Sequence, residues 1–187
     1  MIVNHRDRWL YVGSPKTGST TLHITLCYPE FGGELWGDQH EVGSLAGYRV
    51  LASVRDPYTR ALSLYRYLGQ NLAGYDQTFE AYCAELEKGG YRRPYDRETA
   101  FWHWTLSEWL QDIRVDRLIH LETLDADLKA EFPVWLGRAD RVNETVLTGR
   151  PVQYTPETRR LVRSWAADDF ERFGYSSDQG ARAGATS

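Results

Sequence analysis

Trp9-Leu10-Tyr11-Val12-Gly13-Ser14-Pro15-Lys16-Thr17-Gly18-Ser19-Thr20-Thr21-Leu22-His23-Ile24-Thr25-Leu26-Cys27 is the stretch that decides the fold. Its first four residues are an apolar run of strand length, Gly-Ser-Pro interrupts it, and from Ser19 to Cys27 apolar residues recur at helical spacing. The pattern predicts strand, loop, helix. At such a junction the first backbone N–H groups of the helix and the positive end of its dipole make an anion site. Lys16 adds a charge, and Thr17, Gly18, Ser19, Thr20 and Thr21 add N–H and hydroxyl donors. A nucleoside-triphosphate P-loop carries its lysine directly after the last glycine. Here Ser19 follows Gly18 and the lysine comes three residues earlier, so a different phosphate ligand is implied. A plain Gly/Ser/Thr turn capping a helix has the same composition, and the loop alone leaves both readings open.

Outward from this stretch the same unit recurs. Tyr48 to Val54 reads as a buried strand, and Asp56-Pro57 supplies an N-cap and a first-turn proline for a helix through about Leu68. On that helix Asp56, Arg60, Ser63 and Tyr67 share one face. Arg55 and Ser63 are then placed to grip one more phosphate; the alternative makes Arg60 and Arg66 solvated and Ser63 a packing residue. Residues 28–47 read as a long irregular connection of the kind that is often functional. Helices are predicted at Phe79 to Lys88, Thr99 to Asp112, Leu124 to Lys129 and from Thr155-Pro156-Glu157 through about Asp168, with a third strand at Arg117 to Leu121. The order reads β/α throughout. It predicts an α/β, P-loop-like three-layer fold with a central parallel sheet flanked by helices.

Composition narrows the classes. The 187 residues fit one ordinary domain, read as residues 1–175, with a Ser/Gly/Ala-rich tail at 176–187 predicted to be disordered. Lys and Arg number 22 against 26 Asp and Glu, so no global positive excess exists to hold a nucleic acid. Cys27 and Cys83 lie far apart without metal-ligand spacing and read as reduced core thiols; no metal site is indicated. The N-terminus turns polar before a signal peptide could form and no run approaches a membrane span, so a cytoplasmic location is expected.

Pro15 to Thr21 and Arg55-Asp56-Pro57-Tyr58-Thr59-Arg60-Ala61-Leu62-Ser63-Leu64-Tyr65 together resemble the sulfotransferase superfamily. Leu118 to Leu128, Val142-Asn143-Glu144-Thr145 and Asp169 to Tyr175 are similar to the group containing carbohydrate sulfotransferases, so the resemblance spans roughly residues 8–175. It implies 3′-phosphoadenosine 5′-phosphosulfate as co-substrate, with the first motif on the 5′-phosphosulfate and the second on the 3′-phosphate. The sulfuryl group would pass in line to a hydroxyl acceptor, a carbohydrate or a small alcohol, without a metal in principle. Lys16 would stabilise the leaving phosphate, and Arg55 and Ser63 would hold the 3′-phosphate. The resemblance places a catalytic His or Glu before the second strand, which here means His40 or Glu41. It places Asn143, Thr145, Thr148 and Arg150 in a polar stretch closing over the nucleotide. His103, between aromatic residues, reads as a packed core histidine. The sequence reads as shorter than the secretory members and no membrane anchor like theirs is expected, so their acceptors are not expected to carry over. The competing classes are a P-loop kinase-like nucleotide-binding protein, against which the missing Gly-Lys-Ser/Thr speaks, and a non-catalytic relative that binds nucleotide or glycan.

Overall fold

The computed structural model describes residues 1–37, 45–71, 74–89, 103–133 and 152–177. In chain order the elements are β1 (Ile2–Asn4), β2 (Trp9–Val12), α1 (Ser19–Leu26), β3 (Glu34–Leu35), β4 (Arg49–Val54), α2 (Pro57–Asn71), α3 (Phe79–Glu87), α4 (Leu106–Trp109), β5 (Arg117–His120), α5 (Leu124–Glu131), α6 (Pro156–Trp165) and α7 (Ala167–Arg172). A 3-10 turn, Leu121–Thr123, joins β5 to α5. The chain divides into two compact units, Met1–Arg55 with Leu110–Glu144, and Asp56–Trp109 with Thr145–Ser187.

The first unit holds the sheet, in the order β3-β1-β2-β4-β5. β2, β4 and β5 are parallel, with Leu10 opposite Val50 and Val54 opposite His120, while β1 runs antiparallel to both β2 and β3. The expected parallel sheet is therefore corrected to a mixed one. Met1 to Asn4 was too short to read as a strand from pattern, yet Ile2 and Val3 are fully buried and pair through a hairpin. Asn4 holds that hairpin: its amide donates to Asp7 Oδ2 (3.0 Å) and to the Phe31 carbonyl (2.7 Å), and its Oδ1 accepts the Asp7 N–H at 2.7 Å. A buried amide with its bonds satisfied costs little, whereas an unsatisfied one would cost a few kcal/mol.

Because β2, β4 and β5 are parallel, their carboxyl ends lie along one edge, and Gly13, Arg55 and Leu121 leave from it. Open α/β sheets bind ligands outside that edge. Trp9, Tyr11, Leu51 and Ile119 form one face of the sheet and pack with Leu22 and Leu26 of α1 and Leu124 and Leu128 of α5. Leu10, Val12, Val50, Ala52 and Val54 of the opposite face are buried too, which is why these strands read as continuous apolar runs. At the far end of the strands Glu131, closing α5, meets Arg49 (2.7 Å) and Arg117 (3.6 Å).

The second unit is helical, and Tyr58, Leu64, Phe79, Tyr82, Leu161, Val162, Trp165 and Phe170 make its core. Its helix starts follow the local sequence. Asp56 Oδ1 accepts the Thr59 N–H (2.8 Å), Thr78 caps α3, and Thr155 and Thr158 form a capping box on α6. The helix expected over Thr99 to Asp112 is shorter. Its first residues lie outside the described ones, and α4 begins at Leu106, where Thr105 and Glu108 cap each other and Asp169 accepts the N–H groups of Leu106 (2.8 Å) and Ser107 (2.7 Å). The last expected helix breaks at Ala166 into α6 and α7, and Asp169 lies in the second piece. Ser177, within the expected tail, accepts a hydrogen bond from the Tyr58 hydroxyl at 2.8 Å. Among the described residues no helix is long and apolar enough to cross a membrane.

Candidate anion-binding site

The expected strand, loop and helix are present as β2, residues 13–18 and α1. The loop turns through two left-handed residues, Lys16 (φ 65°) and Gly18 (φ 78°). Gly18 suits that conformation, but a lysine in it costs about 1 kcal/mol. Left-handed residues in such a turn make backbone N–H groups converge into a concavity that favours anions. Gly18 caps α1 without any side-chain bond, and the first turn carries no acidic residue, so the positive end of the helix keeps its charge character. A Cβ on Gly18 would stand 2.6 Å from Leu121 Cδ1, which shows how closely the segment after β5 seats against the loop.

A buried relay fixes the loop to the sheet. The Thr17 hydroxyl donates to the Ser14 carbonyl (2.7 Å) and lies 2.5 Å from the Ser53 hydroxyl, which is 2.7 Å from the Tyr11 hydroxyl. A carbonyl only accepts, and each hydroxyl has one proton. The direction is thereby determined: Tyr11 donates to Ser53, Ser53 to Thr17, and Thr17 to Ser14. Tyr11, Ser14, Thr17 and Ser53 are all fully buried. Burial pushes the Tyr11 phenol well above its ordinary range, so it remains a donor. Sequence reasoning gave Ser53 no role, although a lone hydroxyl in Val50-Leu51-Ala52-Ser53-Val54 is the signal that marks it.

Charge gathers at the same place. Arg55, at the end of β4, donates from Nη1 to the Lys16 carbonyl at 3.2 Å. Lys16 is half-buried, and burial first, then the Arg55 guanidinium, lowers its pKa from the usual lysine range. Two cations that raise each other's cost are a setting in which a bound polyanion is favourable. Next to the loop, Ser14 Oγ and His23 Nε2 are buried polar atoms without a hydrogen-bond partner among the described residues. His23 Nε2 would lie 3.2 Å from a Cβ on Gly13, and burial lowers the pKa of its imidazole.

At the end of β5, His120 is held by Asp127 of α5. The His120 backbone N–H donates to Asp127 Oδ2 (2.7 Å), and the ring Nδ1 lies 3.1 Å from the same oxygen. Sequence reasoning quoted this segment without giving either residue a role; a histidine followed seven residues later by an aspartate, across a strand-to-helix turn, is the signal.

The structure thus brings Lys16, Thr17, Gly18, the start of α1 and Arg55 together in one unit. Ser19 is half-buried, Thr20 exposed and Thr21 buried. Ser63 lies in the second unit, on the buried side of α2. Arg60, read as potentially solvated, is 1% exposed; its guanidinium stands over the Trp165 ring (5.6 Å) and draws the Asp169 carboxylate electrostatically. His103 is buried as expected, and its pKa falls to about 4 through burial and then the Arg60 charge. His40, Glu41, Asn143, Thr145, Thr148 and Arg150 lie outside the described residues. Among the described residues no cluster of His, Cys, Asp or Glu is placed to hold a metal ion. Comparison with protein-family models, with curated proteins and with solved structures finds no match to this chain.

Proposed function

We propose that this chain is a sulfotransferase that binds 3′-phosphoadenosine 5′-phosphosulfate and moves its sulfuryl group to a hydroxyl acceptor, a carbohydrate or small alcohol. The observation that carries the reading is the loop itself: two left-handed residues, an uncapped helix start, and Lys16 beside Arg55, in a motif whose lysine precedes the last glycine. A lysine at the front of the loop is suited to a leaving 5′-phosphate rather than to the β- and γ-phosphates of a triphosphate. The mixed sheet, its parallel half ending at the loop, is compatible with a P-loop-like three-layer arrangement.

In this reading the N–H groups from Thr17 to Thr21 hold the 5′-phosphosulfate, and Lys16 stabilises the charge that builds on the bridging oxygen as the sulfur–oxygen bond breaks. Arg55 takes the 3′-phosphate, with Ser63 added on the strength of the motif's spacing. Asn143, Thr148 and Arg150 are further nucleotide contacts on the resemblance alone. The acceptor hydroxyl loses its proton as its oxygen bonds to sulfur, and the resemblance offers His40 or Glu41 as the base.

The test is calorimetric titration with 3′-phosphoadenosine 5′-phosphate beside ATP and 5′-AMP, for wild type and Arg55→Ala. We expect binding that needs the 3′-phosphate and weakens tenfold or more, on the order of a charge-assisted hydrogen bond, in the variant. Preference for ATP would put the kinase-like reading first, and absence of binding would remove the nucleotide altogether.

A further inference from the structure

From the chemistry of the sheet edge we infer that His120, oriented by Asp127, is the base that takes the acceptor's proton, in place of the His40 or Glu41 that the resemblance offers. The inference rests on the sulfotransferase reading. Three observations carry it.

The first is position. β5 lies next to β4 in parallel, with Val54 opposite His120, so His120 is the last strand residue at the edge where Arg55 leaves β4. Leu121, the next residue, is the one a Cβ on Gly18 would strike, so the chain around His120 adjoins the phosphate loop.

The second is orientation. Asp127 Oδ2 accepts the backbone N–H of His120 and faces its Nδ1, so one carboxylate fixes both the backbone and the ring. A carboxylate at Nδ1 keeps the proton on that nitrogen and leaves Nε2 as the basic atom, the arrangement that makes a histidine a competent base. Asp127 touches no reacting atom and is a positioning residue.

The third is access. The His120 side chain is 33% exposed and that of Asp127 25%. A histidine in a purely packing role, like His103 in the second unit, is closed off instead.

The step balances without a further reactant. The acceptor oxygen forms a bond to sulfur while its proton passes to His120 Nε2. The bond between sulfur and the bridging oxygen breaks, and its electron pair leaves on the 5′-phosphate of 3′-phosphoadenosine 5′-phosphate. The products are the sulfate ester, that nucleotide and the protonated imidazole, which returns its proton to water.

Water can stand in for the acceptor, so the experiment needs no acceptor identified. Sulfate release from 3′-phosphoadenosine 5′-phosphosulfate is measured for wild type, His120→Asn, Asp127→Asn and Asp127→Glu, alongside calorimetric affinity for 3′-phosphoadenosine 5′-phosphate. His120→Asn keeps an N–H toward Asp127 and removes the base. It is expected to slow release about 100-fold, within the range for general base catalysis, with nucleotide affinity unchanged within about threefold. Asp127→Asn is expected to lower the turnover number about tenfold at unchanged KM, and Asp127→Glu to restore part of it. Retention of wild-type release by His120→Asn, or a loss explained wholly by weaker nucleotide binding, would overturn the inference and leave the nucleotide site standing. A wild type that binds the nucleotide but releases no sulfate would also overturn it. No nucleotide binding by the wild type would fell the sulfotransferase reading itself and this inference with it.

Discussion

Replacing Ser53 with alanine removes the middle of the relay: the buried Tyr11 hydroxyl loses its acceptor and Thr17 loses the proton that Ser53 donates. Leaving buried polar groups unsatisfied costs about 1–3 kcal/mol, so Ser53→Ala should lower the unfolding free energy by that amount and move the urea midpoint down accordingly. On the proposed function, nucleotide affinity should fall as well, because the relay ends on the Ser14 carbonyl inside the loop; titration of the same variant would show it. Lys16 illustrates the same economy. Its left-handed backbone is a strained choice for a lysine, and strain of this kind persists where surrounding bonds over-determine the conformation. The sequence placed this lysine in the turn between β2 and α1; its backbone conformation was not legible there, because a positive φ at a non-glycine residue depends on contacts from elsewhere in the chain, here Arg55 on the Lys16 carbonyl.

At the scale of the element, α1 starts where it does because Gly18 alone can both turn left-handed and let Leu121 approach. Gly18→Ala is expected to destabilise the protein by about 1–3 kcal/mol, as overpacking and a left-handed alanine both cost. On the proposed function it should also abolish nucleotide binding as the helix start is displaced, a pairing that thermal melts and titration would reveal together. Most helices and the longer strands were readable from periodicity, caps and the Asp56-Pro57 and Thr155-Pro156 starts. β1 and β3 were not, and the helix expected over Thr99 to Asp112 was read too long for α4; these are matters of partners distant in sequence. β1 is only three residues long and depends on β2, β3 and Asn4; α4 depends on Asp169, more than sixty residues on.

For the molecule as a whole, pH links one buried histidine to stability. Folded, His103 titrates at about 4; unfolded, it returns to its ordinary 6.5. Between these values the unfolded chain holds more protons, so stability is undiminished above about pH 6.5 and falls as the pH drops toward 4. The full loss is about 3 kcal/mol, by the linkage of 1.36 kcal/mol per pKa unit. Burial raises the pKa of Asp169 in the same core and acts in the opposite sense, so the difference between wild type and His103→Gln isolates the histidine. Urea midpoints followed from pH 7 to 4 should drop more steeply for wild type than for His103→Gln. Parallel curves would remove His103 as a source of the acid sensitivity.

The sequence by itself determined the α/β order, the strand-loop-helix succession of β2 and α1, and the start of α2. These are local matters of period, glycine placement and capping, settled within a few residues of chain. The tertiary structure alone decided that the sheet is mixed, that Arg60 is buried with Asp169, that Ser53 reaches Thr17 through a one-way chain of hydroxyls, and that His120 meets Asp127 beside the loop. Strand order and hydrogen-bond partnership join residues dozens of positions apart, and their energies arise only once burial has removed water from both partners.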